Sequence, residues 1–281
     1  MTPKDILLHL RLPFSFFLMP VYWFAISQTP SPDKSKAFWI LIILHVFIYP
    51  ASNAYNSYFD KDEGSIGGLE KPPAVDKKLF WVSWIIDVFA VIISLVVLDW
   101  VFALMIFVYG LVSKAYSDDK IRLKKYPILS WFIVGLFQGA FTYFSVIMVF
   151  DKDIEHLKSQ ILPSIISTLM LWAVYPMSQI YQHEEDAKRG DTTMSILLGI
   201  RGTFVFTALV FSIAFTGFFF YFSQADFVTL LIFNLPTLAF FGWWFLKTLK
   251  DKDQANFRNT MWLNLLASVC LNGFYIWLCV K

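Results

Sequence analysis

Residues 80–97 read Phe-Trp-Val-Ser-Trp-Ile-Ile-Asp-Val-Phe-Ala-Val-Ile-Ile-Ser-Leu-Val-Val, an apolar run interrupted by a single charge at Asp87. A helix crosses the ~30 Å hydrocarbon layer of a bilayer in about 20 residues, so a run of this length and polarity is a membrane span. Transmembrane β-strands are about half as long and alternate apolar with polar positions. Neighbours such as Val91, Ile92 and Ile93 do not alternate. Comparable runs recur at 38–47 and 204–222, each closed by short charged loops. Working outward from 80–97, the sequence predicts spans at roughly 12–28, 38–59, 79–98, 100–117, 128–149, 161–181, 202–222, 227–246 and 258–280. The third and fourth are divided by little more than Asp99. Pro20, Pro50, Pro163, Pro176 and Pro236 fall in or beside helices, where neighbouring groups can take up the freed carbonyls.

Composition agrees. The chain is 57% hydrophobic and 16% charged, against about 45–50% and about 25% for soluble domains. The expected fold is an all-α integral membrane domain spanning 1–281. A net charge of +2 gives no reason to expect a nucleic-acid partner. Cys270 and Cys279 both lie in the last apolar segment and read as small hydrophobes rather than a disulfide. No cleavable signal peptide is expected, because the first apolar run lacks a small-residue cleavage site.

Of the 23 Lys and Arg residues, eighteen fall on one side of a nine-span arrangement and five on the other: Lys34, Lys36, Lys152, Lys158 and Lys281. The positive-inside rule then places the N-terminus in the cytosol and the C-terminus outside. A bacterial inner membrane suits this arrangement.

Two polar stretches fall on that cytosolic side, after the second and sixth spans. The first holds Asn53, Asn56, Asp60, Asp62 and Glu63; the second holds Gln182, Glu184, Glu185, Asp186 and Asp191. Their separation by four helices suggests two four-helix halves, each offering one acidic helix end, with a ninth helix added. Asn56 and Asp60 stand four residues apart on one helix face, with Asn53 beside them, and Gln182 and Asp186 repeat the spacing. Amide and carboxylate oxygens in such a ladder suit a hard cation. Mg²⁺ takes one or two carboxylates and shares the rest of its shell with substrate phosphate. Asn56, Asp60, Gln182, Glu185 and Asp186 are the candidate ligands, with Asn56, Asp60 and Asp186 the candidate catalytic groups.

The motifs resemble those of the UbiA superfamily of intramembrane prenyltransferases. That family has nine helices, a first motif N-D-x-x-D-x-x-x-D (or N-x-x-N-D-Y-x-D-x-x-x-G in its menaquinone branch) and a second, D-x-x-x-D-x-x-x-G-x-x-T. Here the first runs through Asn53, Asn56, Ser57, Tyr58, Asp60 and Gly64, and the second through Gln182, Asp186, Gly190 and Thr193. Ser57, Gln182, and Gly64 or Ile66 stand where the family carries further Asp residues. Asp62, Glu63, Glu184 and Glu185 are candidates to replace them. The resemblance implies magnesium, a prenyl diphosphate and a lipophilic acceptor that takes the prenyl group, such as an aromatic quinone precursor. A terpene cyclase of the same fold, needing no acceptor, is the alternative.

The loop 114–127 resembles the family's basic segment before its fifth helix. Lys120 and Arg122 are the expected phosphate clamps, with Asn53 and Arg11 as further diphosphate contacts. Lys124 and Lys125 are assigned to positive-inside charge without a ligand. Asp87 is expected to be protonated and hydrogen-bonded, no basic residue being placed at its depth. Gln138, Asn234, Asn264 and Asn272 are expected to bond between helices. The 19% aromatic content suits packing, lipid contact or a lined tunnel. A transporter is disfavoured because the acidic residues gather at one rim instead of the bilayer midplane. An intramembrane metalloprotease is disfavoured because His183-Glu184-Glu185-Asp186 lacks the second His of H-E-x-x-H.

Overall fold

A computed structural model describes all of residues 1–281. The nine spans are α1 (Pro3–Ser27), α2 (Lys34–Asp60), α3 (Lys77–Val97), α4 (Trp100–Ser117), α5 (Pro127–Phe150), α6 (Ile161–Gln179), α7 (Met194–Tyr221), α8 (Gln224–Lys250) and α9 (Phe257–Val280). There is no β-strand, and only an isolated bridge joins Ile66 to Leu69. The predicted spans are all present; α1, α2, α7 and α8 extend by a turn or more at one end, and the other five match to within two residues.

Side-chain caps set several boundaries by satisfying the free N–H groups of each first turn. Asp99, on which the split between α3 and α4 depends, accepts from Val101 N and Phe102 N at 2.8 and 3.0 Å. Asp33 caps α2, Asp76 α3, Thr193 α7, Ser223 α8 and Asn256 α9. α1 is broken at Arg11, whose φ of 47° turns the chain between a short helix, Pro3–Leu10, and the membrane-crossing part.

Two spans contain π-helical turns with identifiable causes. In α2 the turn covers Ile43–Ile48, just before Pro50. Proline offers no N–H and its ring would strike the carbonyl four residues back, so the widened turn relieves the clash. In α5 it covers Phe137–Phe141, where Thr168 of α6 wedges in and accepts from Ala140 N at 3.0 Å. Only glycine fits at 139, since a Cβ there would lie 2.5 Å from Thr168 Cα.

Successive helices pack side by side, and α9 returns against α1, closing the bundle into a ring. Its largest buried apolar cluster joins all nine helices, through residues such as Phe24, Ile43, Ala90, Tyr143, Leu230 and Phe274. Large apolar side chains such as Ile85, Val96, Phe220 and Leu246 cover the outer surface, as a lipid-facing wall requires. The ends of α2, α4, α6 and α8 share one rim with the N-terminus. The loop at 151–160 and Lys281 occupy the opposite end.

Candidate active site

At that rim a cavity of about 320 Å³ opens inside the ring. Its polar mouth includes Arg11, Asn53, Asn56, Asp60, Asp62, Lys124, Gln182, Asp186, Arg189 and Asp191. Below it the lining turns apolar and aromatic, through Phe14, Phe17, Tyr109, Phe137, Phe211, Leu271 and Tyr275. The aromatic excess of the sequence therefore does line a tunnel in part.

The first acidic stretch forms the last turns of α2. Asn53, Asn56 and Asp60 share the face predicted from their spacing, and all three reach the cavity. The Asn53 amide donates to Leu10 O at 3.3 Å, and the Asn56 amide donates to Ser117 Oγ at 3.0 Å. These bonds hold the side-chain nitrogens and leave both Oδ1 atoms without protein donors. Arg11 reaches the same wall, its guanidinium donating to Gly67 O and Asn53 O, each at 3.3 Å. Ser57, where the family motif has Asp, is buried with its hydroxyl unpartnered and does not line the cavity.

Asp60, in the last turn of α2, is buried. It is 8% exposed and surrounded by cations: Lys124 Nζ in direct contact, Arg189 at 3.8 Å and Arg122 at 3.9 Å. The second stretch lies directly opposite, on a short helix His183–Lys188. The Gln182 amide donates to Ser65 O at 3.2 Å, and Arg189 pairs with Asp62, tying the two motifs together. Gly190, at φ +74°, turns the chain after that helix and lets Asp191 fold back into the mouth. Asp191 is then held by Arg122 through Nε at 3.0 Å and Nη2 at 2.8 Å.

Asp186 differs from the other three carboxylates of the mouth. Asp60, Asp62 and Asp191 each have a Lys or Arg within 4 Å, and Asp186 has none. Burial pushes its carboxyl up to about 7. Lys124 opposes the shift, and the negative charges of Asp191, Asp60 and Glu185 add to it. No three His, Cys, Asp or Glu side chains converge closely enough to hold an ion unaided. The donor set still fits magnesium, because hard oxygens of Asp186, Gln182, Asn56 and Asp60 face one space and a ligand phosphate would complete a shell there.

Four expected assignments change, those of Lys120, Arg122, Lys124 and the candidate metal ligand Glu185. Lys120 is exposed and lies outside the cavity lining, because its backbone turns on Asp118, whose Oδ1 accepts from Lys120 N at 3.0 Å. Arg122 also sits outside the lining, committed to Asp191 and Asp119. Lys124, assigned to a bare positive-inside role, is 7% exposed and lines the mouth, turned inward by the 3₁₀ turn Leu123–Lys125 that follows the left-handed Arg122. Lys125 stays exposed as expected. Glu185 points away from the cavity. It accepts from the backbone N–H groups of Glu63 and Gly64 at 2.9 and 3.2 Å and so fastens the first motif's loop. Of the proposed carboxylate substitutes, Asp62 reaches the cavity, whereas Glu63 and Glu184 are exposed and do not. Nothing in the sequence separated Lys124 from Lys125; a 3₁₀ turn rotates successive side chains by about 120°, enough to send one inward and the next outward.

Inside the membrane, Asp87 of α3 is paired with Lys114 of α4, which also bonds Ser83 Oγ at 3.0 Å. The absence of a basic partner expected for Asp87 is therefore corrected. Of the polar amides expected to bridge helices, Gln138 of α5 bonds Tyr109 of α4, and the other three do not. Asn234 bonds within its own helix to Leu230 O, Gln138 and Asn264 line the cavity, and Asn272 is sealed without a partner.

The UbiA prenyltransferase family matches over residues 16–266. No curated protein matches the sequence. Among solved structures, a UbiA homolog from Archaeoglobus fulgidus bound to DMAPP and Mg²⁺ is similar with a TM-score of 0.72, at 12% identity over 98% of this chain and 99% of that one. A UbiA homolog from Aeropyrum pernix K1 is similar with a TM-score of 0.67, at 14% identity over 96% and 99%. A digeranylgeranylglyceryl phosphate synthase is similar with a TM-score of 0.62, at 16% identity over 99% of both chains.

Proposed function

The chain belongs to the UbiA prenyltransferase family, and from that premise we propose that it transfers a prenyl group from a prenyl diphosphate to an apolar acceptor, with Mg²⁺ at the rim. What carries the proposal is one juxtaposition: a mouth of carboxylates, amides and cations set directly on an aromatic tunnel within the membrane. A prenyl diphosphate has the same division, a polyanionic head and a hydrocarbon tail. The A. fulgidus homologs bound to GPP and Mg²⁺ and to DMAPP and Mg²⁺ support that match.

Arg11, Lys124 and Arg189 hold phosphate oxygens, and the tail lies along Phe14, Phe17, Phe137 and Phe211. Asp186 and Gln182, with Asn56 and Asp60 across the mouth, would hold Mg²⁺, which would neutralise the charge of the departing diphosphate. The allylic C–O bond breaks with its electron pair leaving on diphosphate. The acceptor then bonds to the allylic carbon and loses a proton. The dry aromatic walls keep water from that carbon. Their faces stabilise positive charge.

Purified protein given DMAPP or GPP with a panel of hydroxylated aromatic acceptors should release diphosphate only with Mg²⁺ and at a rate set by the acceptor. A cyclic hydrocarbon or alcohol formed from the diphosphate alone, at a rate no acceptor changes, would replace transfer with cyclisation.

The carboxyl of Asp186 gives a pH dependence. Its raised value near 7 means that the proton-free, metal-binding form gains population as pH rises through neutrality. Mg²⁺ affinity should therefore climb about tenfold per pH unit below 7 and level off above it. Calorimetric titration with Mg²⁺ from pH 5.5 to 8.5 checks this, and a flat profile contradicts it.

The rim faces the cytosol in this proposal, on the eighteen-to-five charge count. In a chain with Cys270 and the exposed Cys279 replaced, single cysteines at Lys61, Lys120, Arg189 and Lys250 should resist an impermeant thiol reagent in intact cells. One at Lys152 should react. Labelling at Arg189 without Lys152 would invert the topology.

A further inference from the structure

Two polar side chains in the tunnel serve neither the diphosphate nor its tail. Asn264 and Ser268 stand four residues apart on the inner face of α9, above Leu271 and Tyr275, and all four line the cavity. Asn264 is 6% exposed and Ser268 is 3% exposed. No protein group within hydrogen-bonding reach pairs with either side chain, although most buried polar groups in proteins are paired. Leaving an amide and a hydroxyl unpaired in an apolar setting costs about 1–3 kcal/mol apiece. Asn234, by comparison, satisfies itself within its helix. Asn272, two turns further along α9, is sealed away from the cavity.

Their depth is informative. Met261 marks the mouth on α9, where its sulfur accepts from Gly68 N at 3.3 Å. Asn264 is three residues deeper, about 4.5 Å along the axis, and Ser268 about 6 Å beyond that. The reacting allylic carbon is one bond from the diphosphate and so lies just beneath the mouth. A polyisoprene tail has no donor or acceptor to offer these groups. A resident water would satisfy them but would also attack an allylic cation beside it. An occupant that satisfies both conditions is an apolar molecule carrying its own hydroxyl or carbonyl.

We propose that Asn264 and Ser268 form the acceptor subsite, binding the hydroxyl or carbonyl of an otherwise apolar acceptor beside the allylic carbon. This rests on the prenyl-transfer reading above and specifies it. The amide can donate and accept at once, which suits a phenolic hydroxyl or a carbonyl equally. The two side chains are positioning residues that fix where the acceptor's nucleophilic atom sits.

The test uses the full chain in nanodiscs with a non-ionising allylic S-thiolodiphosphate, Mg²⁺, and either 1-naphthol or naphthalene, corrected with protein-free nanodiscs for lipid partitioning. Wild type should prefer 1-naphthol over naphthalene by about tenfold, the value of one net hydrogen bond. Asn264→Leu should erase that preference, Ser268→Ala should reduce it, and Asn272→Leu should leave it intact. In all four proteins the thiolodiphosphate should bind equally, which also shows that the variants are folded. Equal binding of the two naphthalenes by wild type, or a preference that survives Asn264→Leu and Ser268→Ala together, would overturn the subsite. Failure of wild type to bind the thiolodiphosphate would instead remove the prenyl-diphosphate reading beneath it.

Discussion

Asp186→Asn should reduce Mg²⁺-dependent diphosphate release by at least about 1,000-fold, or ~4 kcal/mol of barrier, without lowering the thermal midpoint of the protein, since burial already disfavours the charge that is removed. The change swaps a carboxylate for an isosteric amide at the one cavity carboxylate without a cationic partner within 4 Å. Removing an unpaired, partly desolvated charge breaks no ion pair, so folding has nothing to lose. What is lost is the anionic oxygen that faces the mouth. Asp60→Asn should behave differently. Asp60 sits among Lys124, Arg189 and Arg122, and neutralising it leaves buried Lys124 with Asp191 alone, at 3.7 Å. That variant should lose activity and melt at a lower temperature. Metal titration together with melting separates the two. Near-normal turnover in Asp186→Asn would remove it from the metal site, and equal melting losses in both variants would show that the ion-pair distinction is wrong.

The contrast between these two aspartates marks where the sequence stops being informative. Span length, the charge asymmetry and the four-residue spacing of Asn56/Asp60 and Gln182/Asp186 are local properties, and local geometry fixes them: hydrocarbon thickness sets the first and helical pitch the others. Each could be read residue by residue. Which side chains face the cavity across a loop is set by a few backbone angles. Arg122 at φ 45° and Gly190 at φ 74° redirect the chains that follow them, bringing Lys124 and Asp191 inward and leaving Lys120 outside. Composition carries no trace of those angles. Glu185 shows a further difficulty: it stands one residue from a cavity-lining carboxylate and is chemically equivalent to it. Its helical position turns it to the backbone of Glu63 and Gly64 instead.

The same limit explains Asp87, and the second large effect follows from it. Lys114 lies in the last turn of α4, near the rim, which is why no cation was expected at the depth of Asp87. Side chains on a helix lean toward its N-terminus, and α4 runs outward to the rim, so the Lys114 chain leans inward along α3. Its ammonium reaches Asp87 and Ser83 and lies 4.7 and 4.9 Å from the ring centroids of Tyr55 and Trp84. Gly110 leaves room for the carboxylate, since a Cβ there would come within 3.1 Å of Asp87 Oδ2. Both charges are nearly inaccessible, with side chains 5% and 10% exposed. In such a setting a lone partner is worse than no pair at all. Lys114→Met and Asp87→Leu should each destabilise the protein by about 3–5 kcal/mol, whereas the double variant should recover most of that loss. Reversible unfolding in mixed detergent micelles reads the cycle. A double variant as unstable as the two single losses added together would mean that the charges do not act as a pair. Because neither residue lines the cavity, Mg²⁺ affinity of the folded double variant should match wild type, and a large fall there would place the pair in the functional site after all.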